Sequence, residues 1–330
     1  MMRILIILLL FVSGVQGQII NASAPYKPPQ LLLDQYGGAA AAYSLRKLNS
    51  SYTGACIRVR RDSTGQAESD IGFDNNGYID TVALKNFVRN NSGYIVTWYN
   101  QADSSGVFGV RNATQSVQSN QPRIMLNGTI DRANSKPAIQ FNSHLLQVTL
   151  SGISSVTKLQ TYCVITPTVA ATADVSTEIL WGIDGGGSSS SSGNRGISWG
   201  ASTGLLTGEK FGMYFSNNGI NYGRLGSSTY SRAANTMVLH VTVNSNTLSG
   251  WYVNGETATR SFSQSINMDQ TTNASPSNSN LQTSNFWIKS IQGSTNTVEQ
   301  KYSELIIYYD TYTGYLSGVQ SNINSFYAIY

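Results

Sequence analysis

This sequence predicts an all-β fold, a β-sandwich or barrel edged by about three short peripheral helices. Three observations lead there. Apolar and polar residues alternate in many short runs, the period of a half-buried strand. Met237-Val-Leu-His-Val-Thr-Val-Asn244 is the clearest, with Met237, Leu239, Val241 and Val243 on one face. The runs recur at near-regular spacing over 330 residues, as in sandwiches and barrels. Only three stretches carry a helical pattern.

The chain opens Met1-Met2-Arg3, then runs Ile4 to Val12 without a polar residue, then turns to small residues up to Gly17. A basic start, a short apolar core and small residues read as a secretory signal over residues 1–17. The apolar run is shorter than the roughly 20 residues a membrane helix needs. The mature chain is therefore expected from Gln18, secreted or at the cell surface. It would have an extended segment over 18–32 and one domain over 33–330.

The first helical stretch is Tyr36 to Leu48, where Ala39 to Ala42, Leu45 and Leu48 favour helix. The second follows Asp80, a good N-cap, and carries Val82, Leu84, Phe87 and Val88. In the third, Gly314 to Phe326, the residues Leu316, Val319, Ile323 and Phe326 recur every three or four positions.

Strands are expected from Cys56 to Arg61, around Trp98, and over Ala138–Phe141, Leu145–Leu150 and Gln160–Thr166. Others are expected over Glu178–Asp184, Gly196–Gly200, Phe211–Ser216, Leu248 to Val253, Asn285–Ile291 and Tyr302–Tyr309. Asn254-Gly255 closes a two-residue hairpin. Gly185 to Gly193 and Asp269 to Asn280 read as long loops inside one sandwich rather than as domain linkers.

Charged residues make up 12% of the chain, against about 25% in an average domain. Such a surface suits an exported β-protein and disfavours a coiled coil. The formal charge of +4 is spread out. Arg58, Arg60 and Arg61 form the one tight basic cluster, read as a solvated face or as partners of carboxylates. No basic stripe interleaves with aromatics, so nucleic acid is not an expected partner.

Cys56 and Cys163 either form a disulfide or are two buried thiols that never meet. With His144 and His240 they lack the spacing of a zinc site. Gly185 to Gly187 lacks the Lys-Ser/Thr that ends a phosphate loop. In Asp74 to Asp80 a calcium-loop periodicity fails at Tyr78, and Asp80 has a role as helix cap. No Gly-x-Ser-x-Gly elbow supports a Ser-His-Asp hydrolase. No cofactor is expected. Six Asn-x-Ser/Thr sequons, at Asn21, Asn49, Asn90, Asn112, Asn127 and Asn273, are what chance allows in a chain so rich in these residues.

The block from Ala39 to Arg61, with Asp70-Ile-Gly-Phe73 and Tyr94-Ile-Val-Thr-Trp-Tyr-Asn-Gln101, resembles the start of the fungal-type α-L-arabinofuranosidase B catalytic domain. That family is a concanavalin-like β-sandwich among the glycoside hydrolases, and similar domains look to occur in bacterial surface and phage virion proteins. The Trp251-Tyr-Val-Asn-Gly255 hairpin and a last strand leading into a closing helix also resemble concanavalin-like lectin and laminin-G-like domains. The resemblance spans Leu33 to Tyr330, good at the start and loose beyond Ser151.

Glycoside hydrolysis needs two carboxyl groups about 5–5.5 Å apart for retention, or about 6.5–9.5 Å for inversion. The resemblance aligns the family's nucleophile Glu with Arg195 and its acid/base Asp with Ser294. Its adjacent cysteine pair falls on Ile179-Leu180, and its Tyr-Asp-Gln element on Tyr99-Asn100-Gln101. Arginine cannot act as the nucleophile, and serine cannot protonate a leaving group near neutral pH. If the placement shifts by a few residues, the available acids are Glu178, Asp184, Glu299 and Glu304. Glu178 and Asp184 lie about 20 Å apart by strand rise and cannot pair with each other.

The expectation is thus an exported module that binds a polysaccharide or cell-surface glycan without catalysis. Trp181 and Trp199 would stack sugar rings, with Asp184, Arg195 and Ser294 as hydrogen-bonding groups. The alternatives are an active α-L-arabinofuranosidase-like hydrolase and a structural or adhesive surface or virion domain.

Overall fold

One strand, Gln300–Tyr308, organises the chain because its two faces serve two cores. It pairs antiparallel with Ala41–Ser44, Ile139–Phe141 and Lys158–Pro167. Leu305 and Ile307 pack on one side with Tyr43, Ile139, Cys163 and the interior of the sandwich. Ile306 and Tyr308 pack on the other with Tyr162, Val164 and the helical layer. The register slips between Val164 and Ile165, which face Glu304 and Tyr302. Such a bulge moves the following side chains to the opposite face, and Tyr302 accordingly joins the interior core.

The computed structural model describes residues 31–102, 111–149, 299–309 and 313–330. Between 150 and 298 it describes the strands Lys158–Pro167, Glu178–Ile183, Arg195–Trp199, Phe211–Asn217, Ile220–Ser227, Met237–Asn244, Thr247–Val253, Glu256–Thr257, Ser261–Phe262, Asn285–Ile288, Ser290–Ile291 and Ser294–Thr295, with Asn254 and Lys289. The segments 1–17 and 18–30 and the loops at 185–193 and 269–280 lie outside the described residues. Leu31–Tyr330 form one compact unit.

The architecture is the expected one, mostly antiparallel strands with three short α-helices among the described residues. A second group of strands joins Ile57–Arg61 to Glu68–Ile71 and Gly93–Trp98, and Gly93–Trp98 to Arg123–Leu126. The interior core lies between the two groups, with Trp98, Tyr43, Phe141, Phe286 and Tyr302 filling its bulk. The hairpin at Asn254 (φ 52) pairs Val253 with Glu256, as the Asn-Gly pair predicts.

One helix falls elsewhere than expected. Helix α1 is only Leu32–Gln35, and Ala41–Ser44 is a strand whose four residues are fully buried opposite Ile307 to Glu304. Helix preference is worth at most about 0.7 kcal/mol per ordinary residue. Pairing with a buried strand outweighs it, and alanine suits a site with neighbours on both faces.

Helix α2 is Thr81–Val88, and Asp80 caps it by accepting hydrogen bonds from Val82 N (3.0 Å) and Ala83 N (2.8 Å). Helix α3 is Leu316–Tyr327 and buries Val319, Ile323 and Tyr327 against the outer face of Gln300–Tyr308.

Candidate functional site

Two adjacent strands carry four of the candidate residues, Glu178, Trp181, Arg195 and Trp199. Glu178–Ile183 pairs with Arg195–Trp199 on one side and Asn285–Ile288 on the other. Glu178 stands opposite Trp199, Trp181 opposite Ile197, and Ile183 opposite Arg195. On the other side Trp181 stands opposite Ile288, a core residue. A bulge at Leu180 lies between the Ile179 and Trp181 pairings.

The hairpin Ser290–Ile291/Ser294–Thr295 follows Asn285–Ile288 after one residue, Lys289 (φ 66). Because Asn285–Ile288 runs antiparallel to Glu178–Ile183, that hairpin leaves toward the Glu178 end. Ser294 is therefore grouped with Trp199, Glu178 and Trp181. Arg195 stands at the Ile183 end, beside the chain position of Asp184, which lies outside the described residues. The two positions aligned with the family's acid pair leave opposite ends of one strand.

Glu304 sits where no substrate can reach it. It is 0% exposed. Its Oε2 accepts from Ser44 Oγ at 2.7 Å and Arg46 Nε at 2.8 Å, and its Oε1 from Arg46 Nη2 at 3.0 Å. The Tyr327 hydroxyl donates to Oε2 at 3.2 Å, with the Ser303 carbonyl as an alternative acceptor at 3.3 Å. Burial alone would lower the Arg46 pKa, but Glu304 beside it more than offsets this and raises it. The Tyr327 hydroxyl is pushed well up by burial and by the Glu304 charge. Glu304 thus serves structure, which corrects its place among the acids available for catalysis. Glu299 is exposed just before the same strand, five residues away, or about 16 Å by strand rise.

Tyr99-Asn100-Gln101 is likewise structural. Asn100 Oδ1 accepts from Ala42 N at 2.8 Å and Ala102 N at 3.0 Å. Gln101 Oε1 accepts from Leu48 N at 2.8 Å, and its Nε2 lies 2.9 Å from both the Ser44 and Arg46 carbonyls. These side chains fix the path of residues 42–48. Tyr99 donates to Asp70 Oδ1 at 2.8 Å on the surface.

The possible Cys56–Cys163 disulfide is not formed; both thiols are free and buried. Cys56 Sγ donates to the Ser44 carbonyl at 3.3 Å, and Cys163 stands opposite Leu305 and Leu239 in its ladders. Burial pushes both thiols up, further from the reactive thiolate.

Arg58 and Arg60 pair with acids, as one reading of the basic cluster had it. Arg58 meets Glu68 at 3.0 Å on the surface, and Arg60, itself buried, meets Asp62 at 3.3 Å. A register shift between Arg58 and Val59 accompanies their different exposure. Among the described residues no group of acids, histidines and cysteines could hold a metal ion. In the Asp74 to Asp80 loop, Asp74 Oδ1 accepts from Asn76 N and Tyr78 N, both at 2.9 Å.

A cleft of about 230 Å³ that the sequence reading did not single out lies between the 74–81 loop, the hairpin Arg132–Ala133/Lys136–Pro137 and the end of α3. Lys136 Nζ lies 4.6 Å from the Phe326 ring centre and 5.1 Å from that of Tyr78. The two rings meet edge to face at 5.1 Å, and Tyr78 is 42% exposed. The guanidinium of Arg46 lies 4.6 Å from the same Phe326 ring. Phe326 was legible only as a helix-face residue, and nothing local in the sequence links it to Lys136.

No family model and no curated protein matches the sequence. Among solved structures, the chain is similar to a GH54 α-L-arabinofuranosidase soaked with a cyclic sulfate inhibitor, with 16% identity and a TM-score of 0.57. It is also similar to a mutant GH54 enzyme soaked with 4-nitrophenyl α-L-arabinofuranoside, with 17% identity and a TM-score of 0.58. An arabinofuranosidase complexed with arabinofuranosyl-α-1,2-xylobiose gives the same two values. Each match covers 86% of this chain and 62% of the other, so the chain spans less than two thirds of those proteins. At such identities the likeness shows the fold, the concanavalin-like β-sandwich of this glycosidase family.

Proposed function

We propose that this chain is an exported glycan-binding β-sandwich that holds a polysaccharide without cleaving it. One observation carries the reading. The ladder of Arg195–Trp199, Glu178–Ile183 and Asn285–Ile288 sets Trp199 opposite Glu178, at the end toward which the Ser294 hairpin leaves. Aromatic residues with a few polar groups are how such surfaces hold sugar rings. The fold shared with arabinofuranosidases supports a carbohydrate as the ligand class. The burial of Glu304 against Arg46 removes one of the available acids, which supports binding without hydrolysis.

A glycan array probed with the purified chain tests the reading. We expect binding to one or a few plant, algal or bacterial polysaccharides, with Trp199→Ala weakening it at least tenfold. Absence of binding across the array would leave the structural or adhesive reading standing in its place. Hydrolysis of 4-nitrophenyl α-L-arabinofuranoside that is abolished by Asp184→Asn or Glu178→Gln would establish the hydrolase instead.

A further inference from the structure

The cleft beside α3 is built by three segments distant in sequence, and its parts are fixed by specific contacts. The Asn134-Ser135 turn joins Arg132–Ala133 to Lys136–Pro137 with both residues in the left-handed region, at φ 44 and 65. These are the dihedral signs a two-residue hairpin turn requires, and serine holds them at a cost. The Asn134 side chain donates to the carbonyls of Tyr327 and, at 2.8 Å, Ala328, tying the hairpin to the end of the helix. Ala328 is itself left-handed, at φ 51. The Asn324 side chain closes the helix beyond it, accepting from Ile329 N at 2.8 Å and Tyr330 N at 2.9 Å. Left-handed non-glycine residues persist where the surroundings over-determine them, and they concentrate at binding sites.

The charge in this cleft is unbalanced. Lys136 lies against two ring faces, and among the described residues no carboxylate is within ion-pair distance of it. Arg132 donates to the Ser135 carbonyl at 2.7 Å, and the Lys301 ammonium reaches the Arg132 carbonyl at 2.7 Å. Asp131, on the same segment, is held by Arg123 at 2.8 and 3.1 Å. Asp74 is the acid of the lining, and its Oδ1 is taken up by two amides of its own loop. The ring faces hold the Lys136 ammonium in place by cation–π attraction, and its remaining N–H bonds are available to an acceptor.

The volume narrows the choice of acceptor. At about 230 Å³ the cleft is several times the ~30 Å³ share of a water molecule, so it is far larger than a bare anion needs. It falls short of the ~300–1,000 Å³ of sites for drug-sized ligands. One sugar ring with its substituents fits that interval. The Tyr78 ring and Pro137 offer apolar walls to ring C–H groups, and Asp74 Oδ2 offers an acceptor to a hydroxyl.

We propose that the cleft between the 74–81 loop, the Asn134-Ser135 hairpin and the end of α3 binds one carboxylate-bearing ring of an acidic polysaccharide, a uronate-type sugar. Lys136 and Arg132 donate to its carboxylate and Tyr78 packs against its apolar face. The site uses none of the residues of the Trp181–Trp199 strands, so each assignment can fail alone.

Titration calorimetry on the purified chain tests it, with trimers of galacturonate, glucuronate and mannuronate, their methyl esters and sodium sulfate as probes. We expect at least one free-acid trimer to bind, with its methyl ester at least tenfold weaker. Lys136→Gln should weaken it at least tenfold without moving the thermal midpoint, and Tyr78→Ala several-fold. Sulfate should compete only at a large excess. Equal binding of acid and ester, full affinity in the Lys136→Gln protein, or no binding of any uronate trimer at millimolar concentration would overturn the assignment. Sulfate competing at concentrations equal to the sugar would reduce the cleft to a general anion site and overturn it as well.

Discussion

Arg46 and Glu304, 258 residues apart in the chain, meet in a buried two-pronged ion pair at 2.8 and 3.0 Å. The pair joins the segment after Ala41–Ser44 to the central strand. Tyr327 and Asn322 extend it into α3. It lies behind the aromatic wall of the cleft, where Arg46 faces Phe326. A buried ion pair is weak evidence for net stability, but removing one partner leaves the other charged and unpaired.

Replacing Glu304 by Gln keeps the shape and removes the charge, leaving the Arg46 guanidinium buried. The expected loss is about 3–5 kcal/mol, read from the urea midpoint and slope. Replacing both residues together, Arg46→Met with Glu304→Leu, should cost markedly less. A Glu304→Gln protein within about 1 kcal/mol of the parent would show that the pair does not hold these segments.

The Asp80 cap makes a smaller, local prediction. Asp80→Ala leaves the amides of Val82 and Ala83 without their acceptor, and the expected cost is roughly 0.5–2 kcal/mol. Asp80→Asn should recover most of it, because Oδ1 is the atom used. Equal stability of all three proteins would place the helix start elsewhere.

The free state of Cys56 and Cys163 is open to a direct count. In the native protein neither thiol should react with an aromatic disulfide reagent, since both are buried and their pKa values are raised by that burial. In guanidinium without reductant, both should react. A denatured protein with no titratable thiol would mean that the two are bonded.

His144 gives the pH dependence. Burial, then the positive charge of Arg123, lowers its pKa below the usual histidine value. Asn142 N donates to its Nδ1 at 3.3 Å, which requires that nitrogen unprotonated. The folded state therefore favours the neutral ring. The associated stability is fully present above the unfolded value of about 6.5 and is lost as pH falls from there through the lower folded value. Thermal midpoints measured from pH 7.5 to 5 should fall for the parent protein and fall less for His144→Asn. Parallel curves for the two proteins would remove His144 from the explanation.

Much of this molecule could be read from residue order because much of it is local. Asp80 announced α2, and the three-to-four spacing of Leu316, Val319 and Ile323 announced α3. Asn254-Gly255 announced its hairpin. Each depends on residues a few positions apart. Ala41–Ser44 defeated the same reasoning, because its conformation follows from the Gln300–Tyr308 strand lying beside it. Glu304 shows the limit most plainly. As a letter in an alternating strand it was a candidate acid, and only the arrival of Arg46, Ser44 and Tyr327 made it a sealed anion.

The sequence by itself determined the fold class, the strand periodicity, the two longer helices and the list of residues able to bind or cut a sugar. Tertiary structure decided which of those residues meet. It set Arg195 at the Ile183 end of its ladder, left Cys56 and Cys163 unbonded, and brought Lys136 against Phe326 and Tyr78. The physical reason is range. Backbone propensity and side-chain periodicity act within a turn of helix or a pair of strand residues. Ion pairing, burial and ring contact act between segments that only the closed sandwich brings together.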